Sequence, residues 1–145
     1  MKTICLNMIV KNESYIIEKT LENIYQNCPL NYWVISDTGS TDNTVEIIKD
    51  FFNKKGILGE IHHEPWQNFS FNRNQALKQC LGKSDYILFF DADDYVTGNL
   101  KLPILDKDAY YLSMSNESQT VKYLRKLIVK NNGKFYWRGV LHEFL

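Results

Sequence analysis

Ile87-Leu88-Phe89-Phe90-Asp91-Ala92-Asp93-Asp94 is the stretch on which the reading of this chain turns. An apolar run stops abruptly at three acids, the pattern of a buried strand that delivers carboxylates to an open sheet edge. In α/β proteins ligands bind just outside the carboxyl ends of parallel strands. A D-x-D pair there offers hard oxygen ligands to a divalent cation, which such sites share with a substrate phosphate. The same residues also suit a strand followed by an acidic turn, because Asp is a common turn residue. The surrounding sequence has to decide between the two.

Three apolar runs of strand length come before it, Ile4–Val10, residues 32–36 and Gly59–His63, and the fourth strand is expected over 86–90. Stretches with helical periodicity separate them. Ile16, Ile17, Thr20, Leu21 and Ile24 share one face of the first, which Pro29 ends. The second spans about 43–54 with Val45, Ile48, Phe51 and Phe52 inward. Ser40, Thr41 or Asp42 can cap it and Gly56 can stop it. The third starts near Ser70, carries Ala76, Leu77, Cys80 and Leu81, and meets Gly82 as its stop. Strand–helix alternation implies right-handed βαβ crossovers and a mainly parallel sheet. After Asp94 the texture changes. Residues 110–114 and 121–129 read as strands, Asn131-Asn132-Gly133 as a hairpin turn, and 134–137 as the returning strand. No low-complexity linker or internal repeat interrupts the 145 residues, so a single domain is expected.

Composition narrows the function. Seventeen basic residues balance seventeen acidic ones, which gives no electrostatic grip on nucleic acid or an anionic membrane. No apolar stretch is long enough to span a bilayer, and the N-terminus lacks a signal-peptide layout. Cys5, Cys28 and Cys80 form no C-x-x-C pair and read as reduced thiols, so a reducing, cytoplasmic setting is expected. His62 and His63 point to opposite faces of a strand and cannot jointly clasp zinc.

The ends of the first, second and fourth strands gather the polar residues: Lys11-Asn12-Glu13, Asp37-Thr38-Gly39-Ser40-Thr41-Asp42 and Asp91 to Asp94. Asp37 is expected one residue beyond its strand, where a carboxylate can accept from a base edge or a ribose. Gly39 allows a sharp turn with positive φ. A capped turn alone explains only the last few of these polar residues. Arg73 falls in the first turn of the third helix, where a cation opposes the macrodipole at roughly 0.3–1 kcal/mol. An anionic ligand or an edge carboxylate should compensate it.

Asp37-Thr38-Gly39-Ser40-Thr41-Asp42, Phe69-Ser70-Phe71-Asn72-Arg73-Asn74-Gln75-Ala76-Leu77 and Phe90-Asp91-Ala92-Asp93-Asp94 together resemble the family 2 glycosyltransferases of the GT-A fold. Met8-Ile9-Val10-Lys11-Asn12-Glu13 resembles that family's first strand and turn. Trp137-Arg138-Gly139-Val140-Leu141-His142-Glu143 resembles the closing His-Glu motif of one subgroup. The resemblance implies a metal-dependent, mostly inverting transfer of sugar from a nucleoside diphosphate, with UDP the expected donor nucleotide, to an unknown acceptor hydroxyl on a glycan, protein or lipid. It implies that Asn12, Glu13 and Asp37, with Gly39 in the turn, line the pocket for base and ribose, and that Arg73 closes over the base or the pyrophosphate. Asp91 would touch the ribose or a metal-bound water. Asp93 would coordinate Mn2+ or Mg2+, His142 would be a further metal or phosphate contact, and Glu143 the preferred general base, with Asp94 the other candidate. Residues 1–94 would form the nucleotide-binding half and 95–145 an antiparallel acceptor-side half.

Two rivals stand beside this. A haloacid-dehalogenase-type phosphatase also uses a strand followed by D-x-D, but on its first strand, whereas three strands precede Asp91 here. A catalytically incomplete nucleotide-sugar-binding module of a larger protein would bind the donor without transferring it.

Overall fold

The strand β1 (Ile4–Val10) is buried at six of its seven positions, because it has a strand on each side and helices packed on the sheet. The computed structural model describes residues 2–97, 102–115 and 122–138. After β1 come α1 (Ile17–Asn27), β2 (Tyr32–Asp37), α2 (Thr44–Lys55), β3 (Gly59–His63), α3 (Phe69–Lys78), β4 (Tyr86–Phe89), β5 (Ala109–Ser115) and β6 (Lys122–Lys130). They form one sheet in the order β3-β2-β1-β4-β6-β5. The first four strands are mutually parallel, and β6 runs antiparallel to both β4 and β5. The chain winds outward from β1 to β3 and then returns to place β4 on the other side of β1. That reversal makes the gap between the carboxyl ends of β1 and β4 a topological switch point, where ligands bind in open α/β sheets.

The elements follow from local chemistry. On α1 the residues Ile17, Leu21 and Ile24 are buried at helical spacing, and Pro29 lies just beyond its cap, Cys28. Gly56 closes α2 at φ 72°, a conformation glycine adopts freely. Trp33 of β2 stacks on Phe52 of α2 with centroids 4.8 Å apart. Asn7, buried in β1, donates from Nδ2 to Val34 O (3.1 Å) and Ala76 O (3.2 Å), tying β1 to β2 and α3. No helix among the described residues is long and apolar enough to cross a membrane.

Three expectations need correction. Asp37 is the last residue of β2 rather than one beyond it, paired with Val10 and His63. α3 begins at Phe69, capped by Asn68 Oδ1 accepting from Phe71 N–H (2.8 Å), so Arg73 opens the second turn. Residues 134–137 form no returning strand. Both edges of β6 are already taken by β4 and β5, which leaves no place beside it. Asn74 holds this segment instead: its Oδ1 accepts from Trp137 N–H (2.6 Å) and its Nδ2 donates to Trp137 O (2.9 Å).

Candidate functional site

The turns after β1 and β2 are fastened to each other. Asn12 adopts φ 52°, and its Oδ1 accepts from Thr41 N–H at 2.7 Å while its own N–H donates to Ser40 Oγ at 2.9 Å. Glu13 N–H donates to Thr44 Oγ1 (2.9 Å), and Ser14 N–H to Asp42 Oδ2 (3.2 Å). Hydrogen bonds from Thr44, then from Ser14, hold the Asp42 carboxyl down at about 2. Gly39, at φ 121°, makes the bend the second turn requires. Asn12, Gly39 and Asp42 therefore set the shape of the two turns that carry Lys11, Glu13 and Thr38.

Asp37 sits at the end of β2 with 5% of its surface exposed. Its Oδ2 accepts from Ser40 N–H (3.2 Å) and lies 3.6 Å from His63 Nδ1. Its Oδ1 is buried without a hydrogen-bond partner among the described residues. A carboxylate can only accept, and buried polar atoms are rarely left unpaired.

The charge on Arg73 is matched by an edge carboxylate. Buried on α3, it donates from Nη2 to Asp91 Oδ1 at 2.7 Å, and its guanidinium lies 5.0 Å from the centroid of the Trp137 ring. Arg125 on β6 brings Nη1 to 3.5 Å from Asp91 Oδ2. Both oxygens of Asp91 thus face cations. Asp94 Oδ2 accepts from Asp91 N–H (3.1 Å), and burial followed by the Asp91 charge pushes the Asp94 carboxyl up. Asp93 is exposed and makes no hydrogen bond or ion pair among the described residues. Glu13 is also pushed up, first by burial and then by Asp93.

Asp91, Asp93 and Asp94 each place an oxygen within 4.8 Å of the others. An all-oxygen set of three acids, of which Asp91 alone is paired with arginines, fits Mg2+ or Mn2+. Asp93 has no hydrogen-bond or ion-pair partner among the described residues, whereas Asp91 is engaged by two arginines. The cleft beside them measures about 580 Å3 and is lined by Lys11, Glu13, Thr38, Trp66, Arg73, Asp91 and Asp93 among others. A second hollow of about 360 Å3, walled by α3 and β6, has no acid in its lining.

The structure therefore brings Glu13, Arg73, Asp91 and Asp93 onto one cleft, while Asn12 and Gly39 lie in the adjoining turns and Asp37 at the end of β2, outside its lining. His142 and Glu143 lie outside the described residues. Sequence reasoning passed over Trp66 and Arg125. A Pro-Trp pair just before the helix cap Asn68 is the available signal for Trp66. Arg125 reaches the site through the β4–β6 pairing, which no local pattern announces.

A mainly parallel α/β sheet with a carboxylate-edged cleft at its switch point defines an architecture of the GT-A kind. The profile of the family described as "Glycosyl transferase family 2" matches residues 5–109. The chain belongs to that family. It is 30% identical over 152 residues to the SPbeta prophage-derived glycosyltransferase SunS of Bacillus subtilis (strain 168), an alignment covering 97% of this chain and 34% of SunS. Among solved structures, S. aureus TarS 1–349 in complex with UDP-GlcNAc superposes with a TM-score of 0.54 at 26% identity, over 64% of this chain and 27% of TarS. Mannosyltransferase PcManGT from Pyrobaculum calidifontis, solved with GDP-Man and Mn2+, shares the fold at 22% identity and a TM-score of 0.55, over 63% of this chain and 28% of that one. The chain spans about a third of the length of the curated relatives it matches.

Proposed function

We propose that this chain is the donor-binding and transfer domain of a glycosyltransferase that moves a sugar from UDP to an acceptor hydroxyl on a glycan, protein or lipid, with inversion. One observation carries the reading: Glu13, Thr38, Arg73, Asp91 and Asp93 line a single cleft at the switch point, with Asp37 beside Thr38 at the end of β2. Family membership supports it, as does the complex of TarS with UDP-GlcNAc.

In this reading the nucleotide lies across the ends of β1, β2 and β4. Asp37 takes an N–H from the base, and Asn12 and Glu13 hold the ribose, with Gly39 keeping the turn tight. Asp91, set by Arg73 and Arg125, faces the ribose, and Arg73 presents charge toward the pyrophosphate. Asp93, with Asp94 beside it, would hold Mn2+ or Mg2+; when bound, the cation offers positive charge to the departing diphosphate. Such charge accelerates the reaction because it meets more negative charge in the transition state than in the ground state. A base must accept the acceptor's proton as its oxygen attacks the anomeric carbon. Asp91 is too committed to its arginines for this. Glu143 is proposed for the role and His142 as a further metal or phosphate contact. Residues 1–94 form the nucleotide-binding half and 95–145 the acceptor side.

A second reading predicts donor binding alone. A catalytically incomplete module of a larger protein would bind the same donor without transfer or hydrolysis.

Calorimetric titration of UDP, GDP and dTDP, with and without Mn2+, tests the site. UDP is expected to bind, and to do so at least about tenfold more tightly with Mn2+. Asp93→Ala is expected to erase that gain while leaving the metal-free affinity in place. Full Mn2+ dependence in the variant would remove Asp93 from the metal site.

A further inference from the structure

Trp66 and Phe69 stand at the cleft with 42% and 39% of their surfaces exposed. Their rings meet edge to face, with centroids 4.8 Å apart and planes at 84°, a favoured arrangement for aromatic pairs. The fold holds them firmly without covering them. Asn72, fully buried, straddles the loop that bears the indole: its Oδ1 accepts from Gln67 N–H (2.8 Å) and its Nδ2 donates to Pro65 O (3.1 Å). Pro65 fixes its own φ, and Asn68 caps the helix that Phe69 begins. A buried polar side chain thus uses both of its functional ends to present a half-exposed tryptophan. Aromatic walls of this kind line small-molecule sites.

We propose that Trp66, buttressed by Phe69, is the surface on which the donor's nucleobase stacks; the proposal rests on the reading of this cleft as a nucleotide site. Its place along the cleft identifies the moiety. Glu64 N–H donates to Asp37 O at 2.9 Å, so the loop leaves β3 against Asp37 and reaches Trp66 two residues later. Asp37 is also the residue whose Oδ1 is buried and unpaired. This end of the cleft therefore sets an aromatic face beside the strand end that carries Asp37, whose Oδ1 has no partner among the described residues, while the acids of 91–94 follow β4. A nucleobase carries a matching edge N–H and a π-face, and a diphosphate carries neither. Stacking tolerates any base, so the choice among bases falls to Asp37.

Trp33 and Trp137 are buried, at 6% and 3% exposure, which leaves Trp66 as the tryptophan open to acrylamide. Saturating UDP with Mn2+ is expected to protect the wild-type fluorescence from acrylamide quenching. Trp66→Ala is expected to weaken UDP and uridine by a common factor of about tenfold or more. Trp66→Phe, which keeps an aromatic face, should recover most of the loss. If the alanine variant does not fold, the phenylalanine variant and the quenching experiment decide. Equal UDP affinity in wild type and Trp66→Ala would overturn the proposal and leave the nucleotide site standing. A loss seen with UDP-GlcNAc but not with UDP would assign the ring to the sugar and overturn it too. A wild-type chain that binds no nucleotide would overturn both this proposal and the reading beneath it.

Discussion

Asp37 divides its carboxylate between the fold and a ligand. Oδ2 holds the turn through Ser40 N–H, and Oδ1 is buried without a hydrogen-bond partner among the described residues. A hydrogen bond to a charged group contributes about 1.5–3 kcal/mol. Asp37→Asn leaves a single acceptor oxygen, for which Ser40 N–H and the ligand compete. Calorimetry is expected to show UDP binding weakened by about 10- to 100-fold, equally with and without Mn2+. A loss confined to the Mn2+ titration would place Asp37 at the metal instead. That Asp37 belongs to the sheet edge was legible in the sequence, since it follows an apolar run. Its unpaired oxygen was not, because that depends on how Ser40 and His63, distant or differently placed in the chain, pack around it. The roles of the three acids likewise share one motif and separate only in space: Asp91 faces two arginines, Asp94 is partly buried and Asp93 is open.

At the scale of elements, the turn after β1 depends on the start of α2. Asp42 accepts from Thr44 N–H (3.1 Å), Thr44 Oγ1 and Ser14 N–H (3.2 Å), and so joins the helix start to the turn that carries Asn12 and Glu13. These bonds lower its carboxyl from 3.8 to about 2 in the fold. A depressed folded value means that the stabilisation is complete above the unfolded value and is lost as the pH falls through the folded one. Asp42→Ala is therefore expected to melt below the wild type at neutral pH, with the gap narrowing below 3.8 and closing near pH 2. Parallel thermal melts across that range check it; a gap that persists at the acid end would assign the loss to packing. The periodicities that revealed α1, α2 and the first four strands are local, and for that reason they were readable. The failure at 134–137 was not local. Its consecutive aromatics, Phe135, Tyr136 and Trp137, suit a strand, but β4 had already taken the edge of β6, and Asn74 satisfied Trp137 from a helix.

Across the whole molecule, Asp91 is where the parallel and antiparallel parts of the sheet exchange charge, with Arg73 reaching it from α3 and Arg125 from β6. The two pairs differ in setting. The Arg73 side chain is 8% exposed, its bond to Asp91 is 2.7 Å, and the Trp137 ring lies against it. The Arg125 pair is longer, at 3.5 Å, with both side chains 26% exposed, so solvent screens much of it. Removing one partner of a buried pair leaves the other uncompensated at several kcal/mol. Here Asp91 is partly open and retains Arg125, which lowers the expected loss for Arg73→Ala to about 2–3 kcal/mol. Arg125→Ala is expected to cost under about 1 kcal/mol. With Arg73 gone, Arg125 is the cation left to Asp91 among the described residues, so the double variant should lose more than the two single losses added together. Urea unfolding of the two single variants and the double variant measures all three terms. Strict additivity would mean that the arginines hold separate partners and that Asp91 does not couple the two parts of the sheet.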